Sequence, residues 1–243
     1  MNESIYAVNH RNFSYFTGFG LIENSSNISS YYLVDMNASL ILKFDDNWVF
    51  LTSQNITLPN YMVSVDEQLF ITTNEGIVKM DQYLNVLQNY HSPAYVGISY
   101  NETNRTILVV SSILRKIDIF DLNLRQLENI SLSMYSPPWS LEKYNDKLYV
   151  GTSMSEVLVI ENKKVTHIFN VCMGITSYIN SILVDQYEYM ALVCGRDDVT
   201  HLYYTNGSWV GISWVVYSTP QYIGYDSKGR FIFSMTNELR IFQ

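Results

Sequence analysis

The sequence predicts an all-β fold: a six-bladed β-propeller with four antiparallel strands per blade, its ring closed by the N-terminal strand completing the last blade. Three observations predict it. Apolar or alternating runs of four to seven residues recur along the chain, bounded by Asn, Asp, Gly and Ser, as in Tyr31-Tyr-Leu-Val, Leu40-Ile-Leu-Lys-Phe, Ile107-Leu-Val-Val and Phe231-Ile-Phe. Such short, evenly spaced strands mark an all-β chain. The composition agrees, with 20 Tyr, 11 Phe and 4 Trp, side chains suited to a pleated, half-buried surface. The third observation is a repeat. Pro59, Pro93, Pro137 and Pro220 are each followed two residues later by an aromatic, namely Tyr61, Tyr95, Trp139 and Tyr222.

The proline spacings are 34, 44 and 83 residues, and 83 is about twice 41. A copy without the proline should therefore begin near residue 179. There Ile182-Leu-Val-Asp185 superposes on Ile223-Gly-Tyr-Asp226 at an offset of 41. A unit of this length forms one small sheet that cannot bury both faces alone, and such sheets hide them against neighbours as propeller blades. At about 40.5 residues per unit, 243 residues give six units.

The blades then follow in order as one domain over residues 1–243. Blade one covers 12–57 and is the most irregular. Blade two covers 58–91 and blade three 92–135. Blade four, 136–171, reads as strands Trp139–Lys143, Lys147–Thr152, Glu156–Glu161 and Val165–Asn170. Blade five covers 172–217. Blade six covers 218–243 and ends after its third strand, so the spare run Ser4-Ile-Tyr-Ala-Val within residues 1–11 would supply its outer edge and cover exposed pairing groups. An open β-solenoid and a two-sheet sandwich are the competing architectures.

The pattern Pro-x-aromatic-Ile/Val-Gly-x-Asp, then Gly-Arg-Phe-Ile-x-Ser, then Leu-x-Ile-Phe is clearest from Pro220 to Phe242. It resembles the NHL repeat and the wider six-bladed, TolB-like propeller group. That resemblance implies a fold, not a function, because the group includes protein-binding modules, RNA-binding modules, receptor ectodomains and metal-dependent hydrolases.

Charge narrows the field. Lys and Arg number 15 against 23 Asp and Glu, for a net charge of −8. A surface that acidic repels phosphate backbones, so no nucleic-acid partner is expected. No run approaches the ~20 apolar residues of a spanning helix, so no membrane insertion is expected. The N-terminus shows no basic start followed by an apolar core, so no signal peptide is expected within this segment.

Ten Asn-x-Ser/Thr sequons begin at Asn2, Asn12, Asn24, Asn27, Asn37, Asn55, Asn101, Asn104, Asn129 and Asn206. With 22 Asn and 40 Ser plus Thr, chance would place only about 3.6. Glycosylation is expected at those from Asn24 onward, and with it an extracellular or secreted location, with the chain possibly the ectodomain of a longer one. In a cytosolic chain the same sequons would carry no meaning. Cys172 precedes the first strand of blade five and Cys194 ends its second, which places both at the same end of adjacent strands. They either form a disulfide or sit as buried free thiols in a reducing compartment.

No nucleophile elbow, His-Glu-x-x-His or phosphate-binding glycine loop is present. At the expected mouth of the central channel, aligned units place Asn60, Ala94, Pro138, Asn180 and Gln221 in one tier. The next tier holds Tyr61, Tyr95, Trp139, Ser181 and Tyr222. Amides ringed by aromatics suit a ligand site formed by Asn60, Tyr61, Tyr95, Trp139, Asn180, Gln221 and Tyr222. The same pattern also suits packing, with aromatics wedged between blades and amides capping backbone. The chain is similar in blade count to gluconolactonase-like propellers, which hold a divalent metal with carboxylates and an Asn. Here no carboxylate occupies the tier. Asp66, Glu142, Asp185 and Asp226 fall four to six places further along, where turn capping is the ordinary role.

The sequence therefore predicts a non-enzymatic binding module that holds a protein or glycan, without a cofactor, through loops such as Gln88–Ala94 and Met134–Trp139. A metal-dependent lactonase or esterase using Ca²⁺ is the alternative.

Overall fold

The computed structural model describes residues 15–23, 29–172, 177–195, 199–215, 220–225, 230–235 and 238–242. They form six antiparallel sheets that follow one another along the chain, each with its strands in sequence order. The first holds β1 (Phe16–Glu23), β2 (Ser29–Asp35), β3 (Leu40–Phe44) and β4 (Phe50–Asn55). The second holds β5 (Pro59–Val65), β6 (Gln68–Thr73), β7 (Gly76–Asp81) and β8 (Val86–His91). The third holds β9 (Tyr95–Asn101), β10 (Thr106–Ser111), β11 (Lys116–Phe120) and β12 (Gln126–Ser131). The fourth holds β13 (Pro138–Tyr144), β14 (Lys147–Thr152), β15 (Glu156–Glu161) and β16 (Lys164–Asn170). The fifth holds β17 (Ile179–Val184), β18 (Tyr189–Cys194), β19 (Val199–Tyr204) and β20 (Trp209–Val215). The sixth has three strands, β21 (Pro220–Tyr225), β22 (Phe231–Met235) and β23 (Glu238–Phe242). These sheets are the blades of a β-propeller. The strand expected from Ser4–Val8 lies outside the described residues.

Within a sheet the middle strands are buried and the fourth is not. In the third sheet β10 is buried throughout, whereas β12 is exposed at every residue but Ile130. In the first three sheets the third and fourth strands are joined by turns whose chemistry is local and repeated. Asp45, Asp81 and Asp121 each accept backbone N–H bonds from two and four residues on, at 2.8–2.9 Å. Each such turn then passes through a left-handed residue, Trp48, Leu84 or Leu124. Short acidic side chains suit these turns because they replace the backbone acceptor of the next bond.

The chain divides into two compact units, one of residues 1–96 with 224–243 and the other of residues 97–223. In the first unit, Tyr32, Val34 and Ile41 of the first sheet pack against Met62, Leu69 and Ile71 of the second. The hydroxyl of Ser234 on β22 donates to the Phe16 carbonyl on β1 at 2.8 Å. In the second unit, Tyr149, Val157 and Val159 of the fourth sheet pack against Ile179, Ile182, Met190 and Leu192 of the fifth. Each fully buried aliphatic side chain contributes about 1.5–3 kcal/mol, so these interfaces between sheets hold the units together.

Inner strands of neighbouring sheets approach so closely that a side chain would not fit. A Cβ on Gly97 would lie 2.9 Å from the Ser140 Cα and 2.9 Å from the Trp139 carbonyl oxygen. Gly76, at φ 137°, leaves even less room: a Cβ there would lie 1.8 Å from the Tyr90 carbonyl oxygen. That glycine lets β8 run close past the start of β7.

Candidate functional site

Polar side chains on the inner strands bind one sheet to the next. In the first unit the Ser64 hydroxyl accepts from the Leu21 N–H at 3.1 Å and donates to the Leu21 carbonyl at 2.5 Å. Thr17 donates to the Asn60 carbonyl. In the second unit Ser140 donates to the Ile179 carbonyl at 2.7 Å, and Ser99 accepts from the Lys143 N–H at 3.0 Å. These bonds satisfy backbone groups that a four-stranded sheet would otherwise leave open along its inner edge.

The amide and aromatic tier lies in the same layer. In the first unit Asn60 is buried, and its amide donates to the Tyr95 carbonyl at 2.7 Å and to Asn74 Oδ1 at 3.1 Å. Tyr95 is fully buried and Tyr61 half-buried. In the second unit the buried Asn180 amide donates to Gln221 Oε1 at 2.9 Å. Trp139 is half-buried and leans on Tyr178, with ring centroids 4.7 Å apart. The structure thus brings Asn60 to Tyr95 and Asn180 to Gln221. It pairs Trp139 with Tyr178, a neighbour outside the expected set.

Tyr222 has a partner that the sequence did not single out for this role. Glu142 was assigned to turn capping, but it lies within β13, two residues before the strand ends, and its carboxyl accepts a hydrogen bond from Ser99. Burial raises that carboxyl to about 8, and the Ser99 bond opposes the shift only in part. Burial and, second, the Glu142 charge push the Tyr222 phenol well above its ordinary value. Ser99, Glu142 and Tyr222 therefore lie near one another on the inner strands of the second unit, with burial opposing ionisation of both acids. Capping does describe Asp185, which accepts from the N–H groups of Tyr187 and Tyr189 at 2.9 Å each. The available signal was positional: at Pro+5 the other units carry Ser64, Ile98, Val184 and Tyr225, and only this one a carboxylate.

The two ends of the strands in the second unit differ in chemistry. At one end lie the second-to-third-strand turns and the crossings to the next sheet. Leu132 N–H bonds to the Arg115 carbonyl at 2.7 Å, Ser153 N–H to Pro137 at 2.9 Å, and Ser155 N–H to Ser177 at 2.9 Å, which gathers these loops into one surface. That surface exposes large apolar side chains: Met134 is 91% exposed, Ile113 67% and Met154 52%, with Leu114 and Tyr178 exposed beside them. The other end carries Glu102, Arg105, Asp121, Arg125, Asp146, Lys163, Asp185 and Glu188 on its turns.

Cys172 and Cys194 form a disulfide, with Cα atoms 6.2 Å apart, and both are fully buried. Persistent disulfides belong to oxidising environments. Among the described sequon asparagines, Asn37, Asn55, Asn104, Asn129 and Asn206 are exposed, while Asn101 is buried. Asn2, Asn12, Asn24 and Asn27 lie outside the described residues. No helix among the described residues is long and apolar enough to cross a membrane.

The donors for the Ca²⁺ alternative do not fit. The tier carries amides and no carboxylate, and no cluster of three His, Cys, Asp or Glu side chains occurs among the described residues. Ca²⁺ takes six to eight oxygens, several from carboxylates.

No protein-family model matches the chain, and no curated protein matches it in sequence. Solved structures match it in shape. A streptogramin B lyase superposes with a TM-score of 0.70 at 11% identity, covering 91% of this chain and 77% of its own. Virginiamycin B lyase from Staphylococcus aureus gives 0.72 at 14%, covering 96% and 82%. The Pan2 WD40 domain from Neurospora crassa gives 0.70 at 7%, covering 94% and 88%. Two neighbours are lyases and one a WD40 domain; at these identities the likeness is one of fold.

Proposed function

We propose that this chain is a secreted, non-enzymatic glycoprotein module that holds a protein ligand on the apolar strand ends of its second unit. Its repeat belongs, on this reading, with the NHL and TolB-like propellers. The observation that carries the reading is the asymmetry between the two ends. Met134, Ile113, Leu114, Met154 and Tyr178 are exposed together on loops tied to one another by backbone hydrogen bonds. A clustered apolar surface of this kind marks an interaction site rather than chance exposure. Its residues resemble the anchor types of protein interfaces, Met and aromatics, with few charges among them.

The binding mechanism is rigid presentation. The sheets fix the loop ends, so association orders little of the chain and loses little entropy. The Trp139–Tyr178 pair joins the amide and aromatic tier to this surface, and Asn180, Gln221 and Tyr222 support it from below. In the first unit, Asn60, Tyr61 and Tyr95 form the equivalent tier. The disulfide and the exposed sequons support secretion. The net charge of −8 supports a partner other than nucleic acid. The reading assigns no cofactor.

Site-specific photocrosslinking tests it. A crosslinker placed at residue 134 should give a discrete adduct in extracellular fluid from the source, and one at residue 187, on the charged end, should not. Equal yields from both positions, or none from either, would sink the proposal.

A further inference from the structure

A groove of about 190 Å³ lies in the first unit between the end of β4 and the edge of β7 and β8. An apolar cavity of about 150 Å³ takes a benzene ring, so this groove is on the scale of one sugar ring. Its walls mix an aromatic and an aliphatic surface, Tyr90 and Val86, with hydrogen-bonding groups from Asn89, His91 and Glu75. Saccharides are recognised by that combination, since a pyranose has an apolar face for a ring to lie on and hydroxyls at its rim. Asn55, the acceptor residue of the sequon Asn55-Ile56-Thr57, also lines it. Asn55 is exposed at the last residue of β4, and the chain turns away at Leu58 through a left-handed conformation, which leaves the sequon open to an enzyme.

We propose that Asn55 carries an N-linked glycan whose first sugar is seated in this groove against Tyr90. The inference rests on the secreted-glycoprotein reading and adds the position of the glycan and its docking site. In the transfer, Asn55 Nδ2 bonds to C1 of an N-acetylhexosamine. The bond from C1 to the pyrophosphate of a lipid carrier breaks, the lipid pyrophosphate leaves with that electron pair, and the amide loses one proton. Once attached, the sugar is tethered beside the groove, so its docking is intramolecular and needs little intrinsic affinity. Gly76 is part of the construction, because only a residue without Cβ lets Tyr90 and His91 pass so close to β7.

The test uses the whole chain, secreted from a host that glycosylates, with peptide mapping and acylation of histidines by diethyl pyrocarbonate. His91 lines the groove, and the exposed His167 on β16 serves as an internal standard. Asn55 should be occupied, and His91 should react severalfold more slowly relative to His167 than in Asn55→Gln or Thr57→Ala, which lack the glycan. Tyr90→Ala should keep the glycan and lose the protection. A bare Asn55 with Asn104 or Asn206 occupied would overturn the inference alone. So would an occupied Asn55 with His91 reacting as fast as in Asn55→Gln. A chain with no sequon occupied would overturn both this inference and the secreted-glycoprotein reading.

Discussion

Glu142 makes a quantitative prediction about stability. Its carboxyl titrates near 8 in the folded chain against an ordinary value of 4.5, because burial disfavours the charged form. The folded state therefore holds this proton more tightly than the unfolded state. The stabilisation is fully present below about pH 4.5 and is lost as pH rises towards 8. At about 1.36 kcal/mol per pH unit, the loss between pH 5 and pH 8 is at most about 3.5 kcal/mol. Partial exposure of the side chain to screening by solvent reduces this to about 2 kcal/mol. Glu142→Gln keeps an oxygen that can accept from Ser99 and cannot ionise. Near pH 5 the variant and the parent should have the same Tm. At pH 8 the variant should melt about 4–8 °C higher, using 2–4 °C per kcal/mol for a chain of this size. Thermal melts of both proteins across this range check it, and the difference between them cancels every other titrating group. A difference that stays constant with pH, or a parent that gains on the variant as pH rises, would refute the argument that burial governs this carboxyl.

Three further outcomes follow from the same structure. Replacing Cys172 and Cys194 with Ala removes a crosslink between residues 22 apart and should cost about 3 kcal/mol, read as a lower urea midpoint; an unchanged midpoint would mean that the crosslink constrains nothing in the unfolded chain. Gly76→Ala should destabilise by about 3 kcal/mol or more, because the added carbon meets the Tyr90 carbonyl at 1.8 Å. Adding Ca²⁺ to protein treated with EDTA should leave Tm unchanged, and a rise would revive the lactonase alternative.

The repeat was legible because its strands obey short-range rules. In the fourth sheet the reading placed strands at Trp139–Lys143 and Lys147–Thr152, and the structure has Pro138–Tyr144 and Lys147–Thr152. Turn residues and alternating apolar positions set those limits within the segment itself. The Cys172–Cys194 pairing was legible as one of two possibilities, since adjacent antiparallel strands bring their joined ends together. Glu142 was misread because its place near the end of the expected strand Trp139–Lys143 does not reveal what its side chain packs against. The difference between a solvated cap and a buried carboxyl lies in the packing of β9 and β21, far away in the chain. The pairing of Trp139 with Tyr178 was hidden for the same reason: Tyr178 lies just before the aligned positions Asn180 and Ser181, and only the folding of the fourth and fifth sheets brings it to Trp139. The Met134–Trp139 loop was expected to bind, but its grouping with Ile113 and Met154 was missed because the three sit on separate turns, and only the antiparallel order of the sheets puts those turns side by side.

Radical footprinting of the protein, with and without extracellular fluid from its source, tests the proposed binding account most directly. Met134 and Met154 oxidise readily and report the apolar end; Tyr187 reports the charged end. The account predicts that the fluid protects both methionines and leaves Tyr187 unchanged. Protection of Tyr187 with both methionines still fully reactive would contradict it.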